Sequence, residues 1–201
     1  MVVGGLEIMP TAPVWSRGHT VLVGDAARRR AAPFRGVDVP TLPACGPQPV
    51  TVLMAQAVPS ATALPCVASL PSGWTYDGAT VQDGESTFSL VAGPDGGPRV
   101  LTVTLAETCD TSSAVPASSD EPGTERFDRA GGSAGAAGPD RFYRFPGGCV
   151  TYDYGTSRLS GPELTAAVDS ALAFLPRARV AAYVQEQSGL ALCGAGASCP
   201  G

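Results

Sequence analysis

The chain has 201 residues, a net charge of −5 at pH 7 and 13 basic residues, every one an arginine. Only Arg28, Arg29 and Arg30 cluster, so the basic face that phosphate neutralisation needs is missing and nucleic acid is excluded as a partner. A single histidine, His19, and six cysteines with no C-x-x-C pair exclude a zinc site of the usual mixed kind and point to disulfides in an oxidising compartment.

Residues 1–44 read as a poorly ordered N-terminal extension ahead of one domain, 45–201. Their one apolar run, "TVLVG" (Thr20 to Gly24), continues into "DAARRR". The tract from Val39 to Tyr76 carries no charge. It is broken by Pro40, Pro43, Pro47, Pro49, Pro59, Pro65 and Pro71, so it predicts no spanning helix, and no ordinary signal peptide is visible ahead of it. Within it "VTVLM" (Val50 to Met54) predicts a strand on an otherwise extended arm.

From Trp74 the pattern sharpens. Asp83–Gly84 separates two β-rich runs and predicts a hairpin. Phe88, Leu90 and Ala92 share one face of the second run, and Gly93 to Gly97 reads as another turn. In "RVLTVTLAE" Leu101, Val103 and Leu105 alternate with Thr102 and Thr104, the pattern of a half-buried antiparallel strand. Asp77, Asp83, Glu85 and Asp95 read as ordinary turn residues and not as calcium ligands.

Asp110 to Asp140 is poor in apolar residues and rich in Gly, Ser, Ala and Pro, which predicts a flexible insertion at about 110–140. Two aromatic strands follow, 141–146 and 149–154, around Pro146–Gly147–Gly148. Their Phe142, Phe145, Tyr152 and Tyr154 read as a packed sheet face, not a ligand-stacking platform. "SGPELTAAVDSALAFLP" opens with a capping box, Ser160 and Glu163. Its Leu164, Ala167, Val168, Ala171, Leu172 and Leu175 predict one helical stripe as far as Pro176. A second helix, about 177–187, turns Val180, Tyr183 and Val184 inward and stops at Gly189. Arg177 and Arg179 follow the first helix, where cations suit its dipole. The resulting fold class is α+β: an antiparallel sheet of about five strands covered by two C-terminal helices and stapled by disulfides.

Six cysteines allow 15 pairings. Cys109–Cys149 is favoured because one residue ends a strand and the other starts one, although their alternation phases disagree unless Gly147–Gly148 forms a bulge. Cys193–Cys199 follows by proximity, which leaves Cys45–Cys66. No Ser–His–Asp set, nucleophile elbow or phosphate loop is present in the sequence, so no catalytic residue is assigned and no cofactor or metal is expected.

Gly24, Asp25, Ala26 and Ala27, with Trp15, Pro33 and Gly36 around them, resemble the GD motif of flavin-dependent aromatic hydroxylases. In that family the Asp contacts the ribityl chain, which would make Gly24 and Asp25 flavin-binding candidates. Arg28 stands where the family has histidine, and the strand–G-x-G-x-x-G–helix unit that the dinucleotide requires is missing upstream, so a working flavin site is not expected. From Cys45 onward, "PCVASLPSGW", "FYRFPGGCVTYDY" and "LAFLPRARVAAYV" resemble a group of uncharacterised actinobacterial proteins. These are usually tethered by an N-terminal membrane helix with the globular part outside. The resemblance implies compartment and fold only: an extracytoplasmic, secreted or membrane-associated domain. Together with the cysteines and the missing catalytic sets, it gives the expectation of a non-enzymatic binding or structural module with a cell-envelope or membrane-protein partner; a relic of a flavin-dependent monooxygenase is the alternative.

Overall fold

A computed structural model describes residues 45–93, 97–130 and 138–193. They form an α+β fold around a seven-stranded antiparallel sheet. The strands in chain order are β2 (Trp74–Gln82), β3 (Glu85–Ala92), β4 (Arg99–Ala106), β5 (Val115–Ala117), β6 (Glu125–Arg129), β7 (Asp140–Phe145) and β8 (Gly148–Tyr154). In space the order is β2-β3-β4-β8-β7-β6-β5. Two meanders therefore meet at β4 and β8. The chain leaves β4, crosses to the far edge at β5, and walks back strand by strand.

The predicted alternation decides which face is buried. Leu101, Val103 and Leu105 lie opposite Tyr154, Tyr152 and Val150 on one side, and Leu90 and Phe88 opposite Leu101 and Val103 on the other. All of these are buried, and together they form the centre of the core. The opposite face carries Thr87, Thr104 and Thr151 in one cross-strand row, with the first two hydroxyls 3.2 Å apart. The β2–β3 turn is Asp83–Gly84, with Gly84 at φ +81°, as a tight hairpin turn requires.

A second layer covers the core face. It contains α1 (Pro49–Ala57), an antiparallel ribbon of β1 (Ala63–Val67) with β9 (Leu172–Pro176), α2 (Gly161–Ala171) and α3 (Arg177–Ser188). Phe174 of β9 stacks edge-on against Tyr143 and Phe145 of β7, with centroids 5.2 and 5.9 Å away. Helix α3 buries Val180, half-buries Tyr183 and Val184, and ends at Gly189 in the left-handed conformation.

The structure corrects the sequence reading at several points. Val50–Met54 is helical, not a strand. Pro49 occupies the first turn of α1, and Thr51 Oγ accepts from the Gln48 N–H at 2.9 Å while donating to the Gln48 carbonyl at 2.7 Å. Those bonds hold the helix start, and burial of Thr51, Met54, Ala55 and Val58 on one side outweighs β-propensity. The stripe expected as one helix to Leu175 ends at Ala171. Pro176 disfavours helical backbone at Leu175, and Leu172 to Pro176 finds a partner in β1. The insertion is not wholly loop, because β5 and β6 extend the sheet from within it. That raises the strand number above five, and three helices rather than two join the covering layer.

Two disulfides staple the fold, one in each layer: Cys45–Cys66 joins the segment before α1 to β1, and Cys109–Cys149 joins the segment after β4 to β8, with Cα atoms 6.2 and 5.8 Å apart. Both separations lie within the ordinary range. The expected phase conflict at Cys109 does not arise. β4 ends at Ala106, opposite Cys149, so Cys109 lies beyond the strand and its direction is independent of Leu101. Pro146–Gly147 forms a two-residue turn between Phe145 and Gly148, with Gly147 at φ +73°, and no bulge is needed. The fit there is close: a Cβ on Gly147 would sit 1.9 Å from the Ser60 carbonyl oxygen. Cys193 is also disulfide-bonded, while Cys199, expected as its partner, lies outside the described residues.

Candidate functional site

The most unusual chemistry in the core is a buried charge. Arg141, at the start of β7, is only 1% exposed. It sits in the inward row of the sheet because it pairs with Tyr152, two places from Tyr143 opposite Val150. Its Nη1 donates to Asp169 Oδ1 of α2 and to the Tyr143 hydroxyl, the latter at 3.3 Å. Its Nε lies 3.6 Å from Asp128 Oδ1 of β6, and its guanidinium is 6.0 Å from the centre of the Tyr154 ring. Asp128 is held independently by Arg126, whose Nε and Nη2 donate to its two oxygens at 2.9 and 2.6 Å.

This environment fixes the protonation states. Burial works against the charge of Arg141, but the oxygens of Tyr154, Tyr143 and Asp169 more than reverse it, and the guanidinium pKa is raised. Burial pushes the Tyr143 hydroxyl up to about 12, opposed by Arg141. Tyr152 and Tyr154 are raised for the same first reason, burial. The phenols therefore remain neutral and act as fixed dipoles around one cation. Glu121, in the turn between β5 and β6, is pushed up to about 7 by burial first and then by Asp120; Asp169 adds to this, and the backbone N–H of Phe174 works against it. Ser119 Oγ accepts from the Glu121 N–H at 3.2 Å and lies 2.6 Å from Thr124 Oγ, so the turn is locally braced.

A second buried cation lies across the layer. Arg177 is 6% exposed and opens α3. Its Nη1 donates to the carbonyl of Ala55 at 2.7 Å and more weakly to that of Val58 at 3.4 Å; its Nη2 donates to that of Cys193. The sequence placed this cation at the end of the preceding helix. It does satisfy helix-terminal carbonyls, but those of α1, more than a hundred residues earlier in the chain.

A cavity of ≈ 260 Å³ opens between α1, β1 and the β2–β3 end of the sheet. Val50 and Met54 of α1, Cys66 and Val67 of β1, and Leu70 line one side. Tyr76 and Phe88, stacked with centroids 5.8 Å apart, line the other. The bridge to Cys45 pins Cys66 in that wall.

The residues singled out in the sequence are distributed as follows. Gly24 and Asp25 lie outside the described residues. Cys45, Cys66, Cys109 and Cys149 are joined in two bridges. Phe145, Tyr152 and Tyr154 lie on the core face, whereas Phe142, opposite Thr151, is on the other face beneath the Arg129 guanidinium, 4.6 Å from its ring centre. Sequence reasoning missed Arg141, Tyr143 and Asp169. Two-residue alternation links Arg141 with Tyr143 and Phe145, but an arginine at a strand start normally reads as a solvent residue. Among the described residues there is no cluster of three or more His, Cys, Asp or Glu side chains able to hold a metal, and no helix long and apolar enough to cross a membrane. Comparison with protein-family models, curated proteins and solved structures returns no match.

Proposed function

We propose that this chain is a non-enzymatic domain of the cell envelope, working outside the cytoplasm as a binding or structural module. One observation carries the reading: two disulfides join loop segments to the strands of the core, with Cys66 and Cys149 only 5% and 1% exposed. Bridges of this kind persist where the medium is oxidising and are rare where thiols are kept reduced. The charged groups of the core support the same reading. Arg141 and Arg177 are engaged by internal carboxylates, phenols and carbonyls, the arrangement of a structural pair rather than of a reactive group held in a cleft. The likeness of the three quoted segments to tethered actinobacterial proteins supports the same compartment. The flavin alternative rests on Gly24 and Asp25, outside the described residues.

Fractionation of producing cells tests the proposal. The expected result is recovery with the exported or envelope fraction, with the cysteines oxidised. Recovery in the cytosolic fraction with reduced cysteines would overturn it. Addition of FAD should leave no bound flavin absorbance after desalting; a retained flavin spectrum would favour the alternative.

A further inference from the structure

We infer that the cavity between α1, β1 and the β2–β3 hairpin is a binding site for a neutral, mainly apolar small molecule of about ten non-hydrogen atoms. The inference rests on the cavity itself and holds whichever compartment the protein occupies.

Size sets the first limit. A dry cavity of about 150 Å³ accommodates benzene. At ≈ 260 Å³, the same packing admits about ten heavy atoms, such as a bicyclic aromatic or a medium-length alkyl alcohol. A long acyl chain would project beyond it into solvent. Chemistry sets the second. Met54 and Phe88, 1% and 3% exposed, line the interior, and Leu70 and Tyr76, both 40% exposed, stand towards solvent. No charged side chain lines the cavity; its polar side chains are those of Gln48, Thr51 and Tyr76. Thr51 Oγ is already bonded to the Gln48 backbone. The Gln48 side-chain carbonyl accepts from the Thr51 backbone N–H in the capping box of α1, so its amide N–H groups and the Tyr76 hydroxyl remain to meet one polar group on the ligand. A carboxylate or sulfonate would lose its hydration without gaining a cation.

The walls are also stiff, as a preformed site requires. Cys66 is tied to Cys45, and β1 is paired along its whole length with β9. Tyr76 is the last residue in register before the bulge at Asp77–Gly78, where Gly78 takes φ +96°. The bulge re-aims the strand just past the cavity, and stacking on Phe88 fixes the Tyr76 ring. Rings and branched side chains held in this way leave a slot that closing in would cost strain in both the ribbon and the hairpin.

The test uses the full oxidised chain and titrates 2-naphthol, with 2-naphthalenesulfonate and hexadecanoate as comparison probes, by calorimetry and ligand-observed NMR. Saturable binding of 2-naphthol with a Kd below about 1 mM is expected, with the sulfonate at least about tenfold weaker. Leu70→Trp, at the exposed rim, and Val50→Trp each place an indole across the slot and should weaken 2-naphthol at least about tenfold while leaving the thermal midpoint within a few degrees. Two separate positions guard against a folding defect in either. Failure of 2-naphthol to saturate, equal binding of the sulfonate, tighter binding of hexadecanoate, or undiminished binding in both folded variants would each overturn the assignment.

Discussion

Replacing Arg141 by methionine tests the buried network. Methionine fills comparable space, so the cost is electrostatic and not chiefly that of a void. The variant loses the bonds to Asp169 and Tyr143 and the 3.6 Å approach to Asp128. Asp128 keeps Arg126, but Asp169 is left without its cation. Stripping one partner from a buried pair costs about 3–5 kcal/mol. The Asp169 side chain retains 30% of its exposure and can recruit water, which places the expected loss near the lower end, about 3 kcal/mol. Domains of this size have about 5–15 kcal/mol in hand, so the variant should still fold. Urea denaturation followed by tryptophan fluorescence at pH 7 measures the loss. Arg141→Met combined with Asp169→Asn should recover about 1–2 kcal/mol relative to the sum of the single changes. A loss below about 1 kcal/mol for Arg141→Met, or strict additivity in the double variant, would refute the reasoning.

Other predictions follow from separate features. Glu121 holds its proton up to about 7 when folded against an ordinary 4.5, so between those values the native state binds more protons than the unfolded state and stability falls as pH rises. With solvent screening allowed for, the fall is about 1 kcal/mol. Glu121→Gln should flatten the stability profile between pH 4.5 and 8; an unchanged slope would count against it. Removing Cys109–Cys149, separated by 40 residues, should cost about 4 kcal/mol, and removing Cys45–Cys66, separated by 21, about 3 kcal/mol, measured on paired alanine variants. Gly84→Ala meets only a positive φ and should cost about 1 kcal/mol, whereas Gly147→Ala also meets the Ser60 carbonyl and should lower the thermal midpoint clearly further.

The parts of the fold legible in the sequence were those with a period. Leu101, Val103 and Leu105 alternate with threonines, and β4 lies inside the sheet between β3 and β8 with the expected face buried. Asp83–Gly84 marks its hairpin, and Ser160 with Glu163 marks the start of α2, where the Glu163 carboxylate accepts from the Ser160 N–H at 2.9 Å. Periodicity failed where a short run is mainly apolar and carries no regular polar alternation. "VTVLM" and "LAFLP" carry similar residues, yet the first is a helix and the second a strand. The difference lies in Pro49 at the start of one and Pro176 at the end of the other, and in the β1 partner available to Leu172–Pro176. β6 was obscured by composition: "ERFDR" looks solvated, but Arg126 and Asp128 face inward and neutralise each other. The Arg141 site was illegible for the same reason. Its ligands come from β6, β7 and α2, and only the register brings them together.

The central claim, a core stapled in an oxidising compartment, is tested most directly by alkylating the protein in freshly lysed, unreduced cells and mapping the labelled cysteines by mass spectrometry. The account predicts that Cys45, Cys66, Cys109 and Cys149 stay unlabelled until reductant is added, with linked peptides joining Cys45 to Cys66 and Cys109 to Cys149. Alkylation of these four cysteines in unreduced, denatured protein would contradict it.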